Sequence, residues 1–172
     1  MICADCYHTP KKSCCTLPKE NLQVPVAEED ARRISEGTGI PWEDTVVLRE
    51  YTDAEIAQLR NNDLAYRSLR ADGKGYLLPL RESGECVYLD PEAGCTLGPY
   101  KPLYCQAYPF FLGTIDGVTK VYNTLDPGCL ATEGLEPTQP DLVAMRLELP
   151  EERVRTTMQR VAVRLGICIS SE

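Results

Sequence analysis

Apolar residues recur at helical spacing in residues 26–37, where Val26, Ala31 and Ile34 form a thin apolar face. Acidic residues at the start of this stretch suit the positive end of a helix dipole, and Gly37 is a typical stop signal. The pattern therefore predicts a short amphipathic helix.

Two further stretches carry the polar signals of helix ends. The tetrapeptide from Thr52 to Glu55 has the form of a capping box and predicts the start of a second helix. Pro150 at a first helical position and Gly166 beyond the last turn predict a longer helix over residues 150–165. Its apolar stripe should pack on a sheet and consists of Val154, Met158, Val161 and Leu165.

Between these helices the pattern changes to short aromatic and aliphatic runs separated by turn signals, which is typical of strands. The runs are Tyr66 to Ala71, Gly75 to Leu80, Cys86 to Leu89, Phe110 to Ile115 and Val118 to Asn123. Asp116-Gly117 suits a two-residue hairpin turn between the last two runs. Residues 102–107 predict one helical turn that directs Cys105 inward.

Together these elements predict an α+β fold, with a small antiparallel sheet of four or five strands, flanking helices, and loops that carry the cysteines. A chain of 172 residues is expected to form a single domain, residues 1–172. Within it we expect a core over residues 1–130, a linker over 131–139 and a C-terminal helical extension over 140–168. Residues 142–149 suit either a strand or a helix.

Charge and hydropathy narrow the range of partners. A formal charge of -8 disfavours nucleic acid, which would be repelled. No run approaches the roughly 18 apolar residues of a membrane span, so no membrane partner is expected. The first residues have neither the basic nor the apolar part of a secretory signal, which favours a cytoplasmic location.

The chain has nine cysteines, more than a protein of this length usually contains. In a reducing cytosol, clustered cysteines more often bind metal than form disulfides, although a disulfide scaffold is the alternative. Eight of them form two groups, one before residue 20 and one over residues 86–129, and several of these eight lie in polar, turn-rich sequence rather than in apolar runs. We predict that these eight converge on bound metal ions: Cys3, Cys6, Cys14, Cys15, Cys86, Cys95, Cys105 and Cys129.

The spacing of the cysteines bears on the kind of centre. Cys3 and Cys6 have the spacing of a chelating knuckle. Cys14 and Cys15 are adjacent, and neighbouring side chains in extended backbone point to opposite faces, so both reach a single zinc ion only through a strained turn. This favours an iron-sulfur cluster such as [4Fe-4S], or a two-metal site, over a single Zn²⁺. The eight thiolates suit two four-sulfur sites, or one cluster plus four structural thiols.

Several other residues near the cysteines have a structural interpretation beside a functional one. His8 is a candidate ligand or a solvated loop residue, and Cys168 is interpreted as a structural or free thiol outside the set. Tyr88, Tyr104 and Tyr108 are core residues or shield a cluster from water. Lys101 is an exposed lysine, or it donates to a sulfur atom or an anionic partner.

The run from Cys95 to Phe110 resembles a known family. It reads Cys-Thr-Leu-Gly-Pro-Tyr-Lys-Pro-Leu-Tyr-Cys-Gln-Ala-Tyr-Pro-Phe. This is similar to the YkgJ-type cysteine-cluster family, a zinc- or iron-chelating domain with a CxxCxxCC start and a Cys-Thr-Ile-Tyr-x-x-Arg-Pro-x-x-Cys-Arg-x-Phe-Pro-Phe run. The chain departs from that pattern at Gly98, Lys101 and Gln106, and seven residues separate Cys6 from Cys14.

The resemblance implies a metal-binding protein, with an iron-sulfur cluster or Zn²⁺ as its cofactor. Electron transfer, metal sensing or handling, and support of a surface for an unidentified protein partner are the roles left open. Related clusters occur in proteins that resemble lysine methylases, so the alternative is an enzyme or enzyme accessory domain, methyltransferase-associated or oxidoreductase. The sequence has no phosphate-binding loop or nucleophile elbow, and we assign no catalytic residue.

Overall fold

A computed structural model describes residues 23–60, 62–115, 118–123, 131–132 and 134–167. The described helices are α1 (Glu28–Thr38), α2 (Trp42–Thr45), α3 (Asp53–Leu59), α4 (Asp63–Arg67), α5 (Leu103–Ala107), α6 (Pro140–Arg146) and α7 (Glu151–Leu165), with a 3-10 turn at Gly98–Tyr100. The described strands are β1 (Val47–Glu50), β2 (Lys74–Leu77), β3 (Leu89–Asp90), β4 (Gly94–Cys95), β5 (Phe110–Ile115) and β6 (Val118–Asn123). The predicted α+β class is confirmed.

The described strands form three separate two-stranded antiparallel sheets, β1-β2, β3-β4 and β5-β6, where the sequence predicted one sheet of four or five strands. The β5-β6 hairpin has the predicted bounds, and Ile115 pairs with Val118 as a two-residue connection requires. The turn residues themselves, Asp116 and Gly117, lie outside the described residues. The β2 ladder ends at Leu77, ahead of Pro79, which has no N–H to donate.

The predicted strand over residues 66–71 is wrong. Its first residues belong to α4, and the Asn62 side chain caps that helix by accepting a 3.1 Å hydrogen bond from the Ala65 N–H. A capped helix start satisfies backbone donors that a strand would have to pair elsewhere. The Asn62 cap therefore favours a helix here, although the aromatic and aliphatic residues of the run are typical of a strand.

Helix α1 confirms the first predicted helix with shifted ends. Ala31 and Ile34 are buried as expected, whereas Val26 lies before the helix and forms an isolated bridge with Tyr76. The helix continues past Gly37 to Thr38, and Gly39 is the C-cap, with a φ of 73°. A left-handed C-cap glycine is the usual end of a helix, so the stop signal lies two residues further on.

The capping box at the start of α3 is confirmed in both directions. The Thr52 side chain accepts from the Glu55 N–H at 3.3 Å, and the Glu55 carboxylate accepts from the Thr52 N–H at 2.9 Å. The bond from the Thr52 backbone is the main cause that lowers the pKa of Glu55.

Replacing Thr52 with Ala should therefore lower the free energy of unfolding by about 1 kcal/mol, because the Glu55 N–H loses its acceptor. Thr52→Ser keeps the hydroxyl oxygen and should stay close to the parent protein. Urea denaturation of the three proteins measures the difference. Equal midpoints for the Ala and Ser variants would show that the hydroxyl is not used.

The largest hydrophobic cluster lies between α7 and the β5-β6 hairpin. Met158, Val161 and Leu165 of the predicted stripe are buried there, and Val154 packs against its edge. Leu112 of β5 is fully buried in the same cluster. Helix α7 runs from Glu151 to Leu165 with Gly166 as its C-cap, so the predicted C-terminal helix is confirmed.

The segment before α7 is more closely packed than a linker. Ala131 and Thr132 are buried, and the backbone N–H of buried Asn123 donates to the Pro137 carbonyl at 2.9 Å. The ambiguous stretch is helical at its start, since α6 spans Pro140–Arg146. Within the described part of the chain, no helix has both the length and the apolar character needed to span a bilayer.

Candidate functional site

Cys86 follows a tight turn and is nearly inaccessible to solvent. The turn is closed by the Gly84 N–H donating to the Arg81 carbonyl at 2.9 Å, with Gly84 at a φ of 87°. A glycine suits this left-handed conformation, which other residues rarely adopt. Cys86 then pairs with Leu80 in an isolated bridge and is 8% exposed. The chain therefore bends directly before this thiol.

Cys95 lies at the end of β4, directly after Gly94, which has a φ of 77°. The turn between β3 and β4 is held by the Asp90 carboxylate, which accepts from the Ala93 N–H at 2.7 Å and the Glu92 N–H at 2.8 Å. These two backbone bonds lower the pKa of Asp90. The loop that presents Cys95 is therefore fixed by hydrogen bonds of its own.

Cys86 and Cys95 belong to one small structural unit. Leu89 is the strand partner of Cys95, and its N–H donates to the Cys86 carbonyl at 3.0 Å. A strand pair and a turn each span only a few ångströms, so the two Cα atoms lie within roughly 12 Å. Both cysteines pack in the same hydrophobic cluster, whose buried members also include Ile34, Tyr88, Leu89 and Leu97.

Cys105 lies on α5, as the predicted helical turn requires, and is half-buried. It lines a cleft together with Gly98 and Pro99, which follow Cys95 closely in the chain. The segment from Gly98 to Cys105 therefore connects the β3-β4 unit to this cleft. The segment also carries Lys101, which is only 7% exposed, so the interpretation of Lys101 as an exposed lysine is wrong.

Helix α1 holds the segment that leads into α5. Asp30, 2% exposed, accepts from the Leu103 N–H at 3.0 Å through Oδ2. Arg33 donates from Nη2 to Asp30 Oδ1 at 2.8 Å and to the Lys101 carbonyl at 3.0 Å. Arg164 of α7 approaches Asp30 Oδ1 at 3.5 Å. One buried carboxylate thus links α1, α5 and α7 beside the candidate site.

Of the three tyrosines near the cysteines, Tyr88 is buried, whereas Tyr104 and Tyr108 are half-buried. Tyr88 is buried and donates to the Thr45 carbonyl at 3.1 Å, and burial raises the pKa of its phenol. Tyr104 and Tyr108 pack against the large α7 cluster. Core packing is confirmed for Tyr88, which packs in the cluster that contains Cys86 and Cys95, and shielding of a metal cluster stays a prediction.

The described residues contain only part of the predicted ligand set. Among them, no three Cys, His, Asp or Glu side chains come together as a metal site. The remaining predicted ligands lie outside the described residues, as do His8 and Cys168; these ligands are Cys3, Cys6, Cys14, Cys15 and Cys129. Convergence of all eight thiols stays a prediction.

In the sequence, Asp30 is one of the acidic residues that suit the positive end of the α1 dipole, and its burial was not predicted. Its spacing of four residues from buried Ile34 places both on one helix face, and that signal could have identified Asp30 as buried. The sequence also did not predict that two cations of α7, Arg153 and Arg160, line the cleft beside Cys105. Nothing in the local sequence indicates that they lie opposite α5.

Comparison with known proteins adds no relative. The chain matches no protein-family model, and no curated protein or solved structure shows significant similarity to it. The resemblance to the cysteine-cluster family rests on the residues quoted above.

Proposed function

We propose that the protein is a cysteine-ligated metal-binding protein that holds an iron-sulfur cluster or Zn²⁺. The observation that carries the proposal is the pairing of Leu89 with Cys95 while the Leu89 N–H donates to the Cys86 carbonyl. Two of the eight candidate thiols are thereby presented from turns of a single unit. Turns of this kind position sulfur atoms, and nearby backbone amides can hydrogen-bond to them.

Electrostatics support bound metal over a cluster of empty thiolates. Eight thiolates in a small volume would repel one another strongly, and metal ions cancel most of that charge. The apolar cluster around Cys86 and Cys95 lowers the local dielectric, which strengthens sulfur-metal attraction and tunes a redox potential. The adjacent Cys14 and Cys15 favour a polynuclear centre. A cytoplasmic location, where thiols stay reduced, fits the same proposal.

Electron transfer or metal handling is the role that such a centre supports most directly. The second candidate is an enzyme or enzyme accessory domain that uses the centre in chemistry. One observation favours it: Cys105 lines a cleft of about 360 Å³, and pockets of this size accommodate small molecules.

Anaerobic purification followed by a visible spectrum and elemental analysis tests the proposal. A brown protein with stoichiometric iron and sulfide would identify an iron-sulfur cluster. A colourless protein with stoichiometric zinc would identify tetrahedral zinc sites. A folded protein without metal, or one with its cysteines joined in disulfides, would overturn the proposal.

A further inference from the structure

The cleft beside Cys105 lies between the segment 98–106 and one face of α7. Its volume is about 360 Å³. This is the lower part of the range found for small-molecule sites, which suggests a ligand the size of a phosphorylated or carboxylated aromatic compound.

The charge of the cleft is opposite to that of the whole chain. Lys101, Arg153 and Arg160 line it, and its described lining residues include no Asp or Glu. The chain as a whole has a formal charge of -8. Positive side chains collected in a concave site focus their field there and favour an anion.

The cleft arginines differ from the other arginines of α7. Arg155 pairs with Glu152, and Arg164 pairs with Glu29 and Asp30. In the described part of the chain, neither Arg153 nor Arg160 forms a salt bridge. These two arginines are therefore well suited to bind an anionic ligand.

The geometry of the cleft favours an oxyanion. Arg153, Thr157 and Arg160 lie four and three residues apart, so they share one face of α7. Arg160 is anchored by donating from Nη1 to Gln106 Oε1 at 2.7 Å, and the guanidinium carries further N–H donors. A planar guanidinium binds carboxylate and phosphate oxygens in pairs, and the Thr157 hydroxyl adds a donor.

Part of the remaining lining of the cleft is apolar. Phe110, Leu149, Val154 and Tyr108 line it. Binding sites for small organic molecules combine such walls with a few polar groups that fix orientation. We propose that this cleft binds a small organic anion with an apolar body and a phosphate or carboxylate group, held by Arg153 and Arg160. The proposal does not depend on the metal centre.

Isothermal titration of the purified, metal-replete protein at low salt tests this inference with phenyl phosphate, benzoate and phenol as probes. Phenyl phosphate or benzoate should bind, and the tighter of the two identifies the anionic group. Phenol, which has the ring without the anion, should not bind measurably. Binding of neither anion, or equal binding of phenol, would overturn the proposal.

Matched variants on α7 locate the site. Arg160→Gln should weaken binding of the tighter probe by at least about tenfold, since it removes the charge and the paired donors. Arg153→Gln provides a second variant with the same expectation. Arg155→Gln, an exposed arginine on the same helix that pairs with Glu152, is the control and should bind as the parent protein does.

Metal content measured on the same samples separates this site from the proposed centre. Arg160→Gln should keep the metal content of the parent protein while its affinity for the probe falls. If Arg160→Gln lost both metal content and probe binding, the anion would bind to the metal instead, and the proposal would be overturned. Equal weakening by Arg155→Gln and Arg160→Gln would indicate non-specific attraction and also overturn it.

Discussion

Asp30→Ala should lower the free energy of unfolding by about 3 kcal/mol, one of the largest effects expected for a single substitution in this chain. The Asp30 side chain is 3% exposed, and its carboxylate accepts from the Leu103 N–H and from Arg33. Alanine would leave a buried backbone donor without an acceptor. It would also leave Arg164 without its buried carboxylate. Urea denaturation followed by circular dichroism measures the loss.

Glu29→Ala is the matched control for this prediction. Glu29 is the preceding residue on α1 and contacts Arg164 Nε at 3.5 Å, but its side chain is 75% exposed. Solvent-exposed ion pairs contribute about 0–1 kcal/mol, so this variant should unfold close to the parent midpoint. Asp30→Asn keeps an oxygen for the Leu103 N–H and should fall between the two. If Asp30→Ala and Glu29→Ala had the same free energy of unfolding, the hydrogen bond between Asp30 and α5 would not stabilise the protein.

Local signals in the sequence predicted the parts of the fold that depend on neighbouring residues. The capping box at Thr52 and the C-cap at Gly166 involve residues a few positions apart, and both are confirmed. The pairing of β5 with β6 depends on a two-residue connection, which is also local. The predicted strand over residues 66–71 failed because the Asn62 cap was not recognised.

Contacts between residues far apart in the chain could not be predicted from the sequence pattern. Asp30 and Leu103 are separated by 73 positions, and no periodicity links them. The burial of Lys101 depends on the packing of the segment around it, which a local pattern cannot show. For the candidate site, the sequence predicted loops that carry the cysteines and a helical turn that carries Cys105. Their distance from the N-terminal cysteines depends on tertiary structure outside the described residues.

Cys95→Ser and Cys105→Ser should each abolish most metal binding and cooperative folding together. Both thiols are only half-buried, so an exchange of sulfur for oxygen without metal would cost within about 1 kcal/mol. A serine hydroxyl is a poor ligand for soft or borderline metals. Structural zinc sites contribute on the order of 10 kcal/mol to folding, so loss of a ligand should far exceed the packing cost. Elemental analysis and thermal unfolding of the same samples measure both effects.

The size of the effect distinguishes a ligand from a packed cysteine. Cys168→Ser lies outside the eight predicted ligands and should keep the metal content of the parent protein. Cys86→Ser is less diagnostic, because burying a hydroxyl at an 8% exposed position destabilises the protein even without metal. If Cys95→Ser and Cys105→Ser behaved like Cys168→Ser in both measurements, neither cysteine would be a ligand. The proposed centre would then lose Cys95 and Cys105, the two candidate ligands in the run that resembles the cysteine-cluster family.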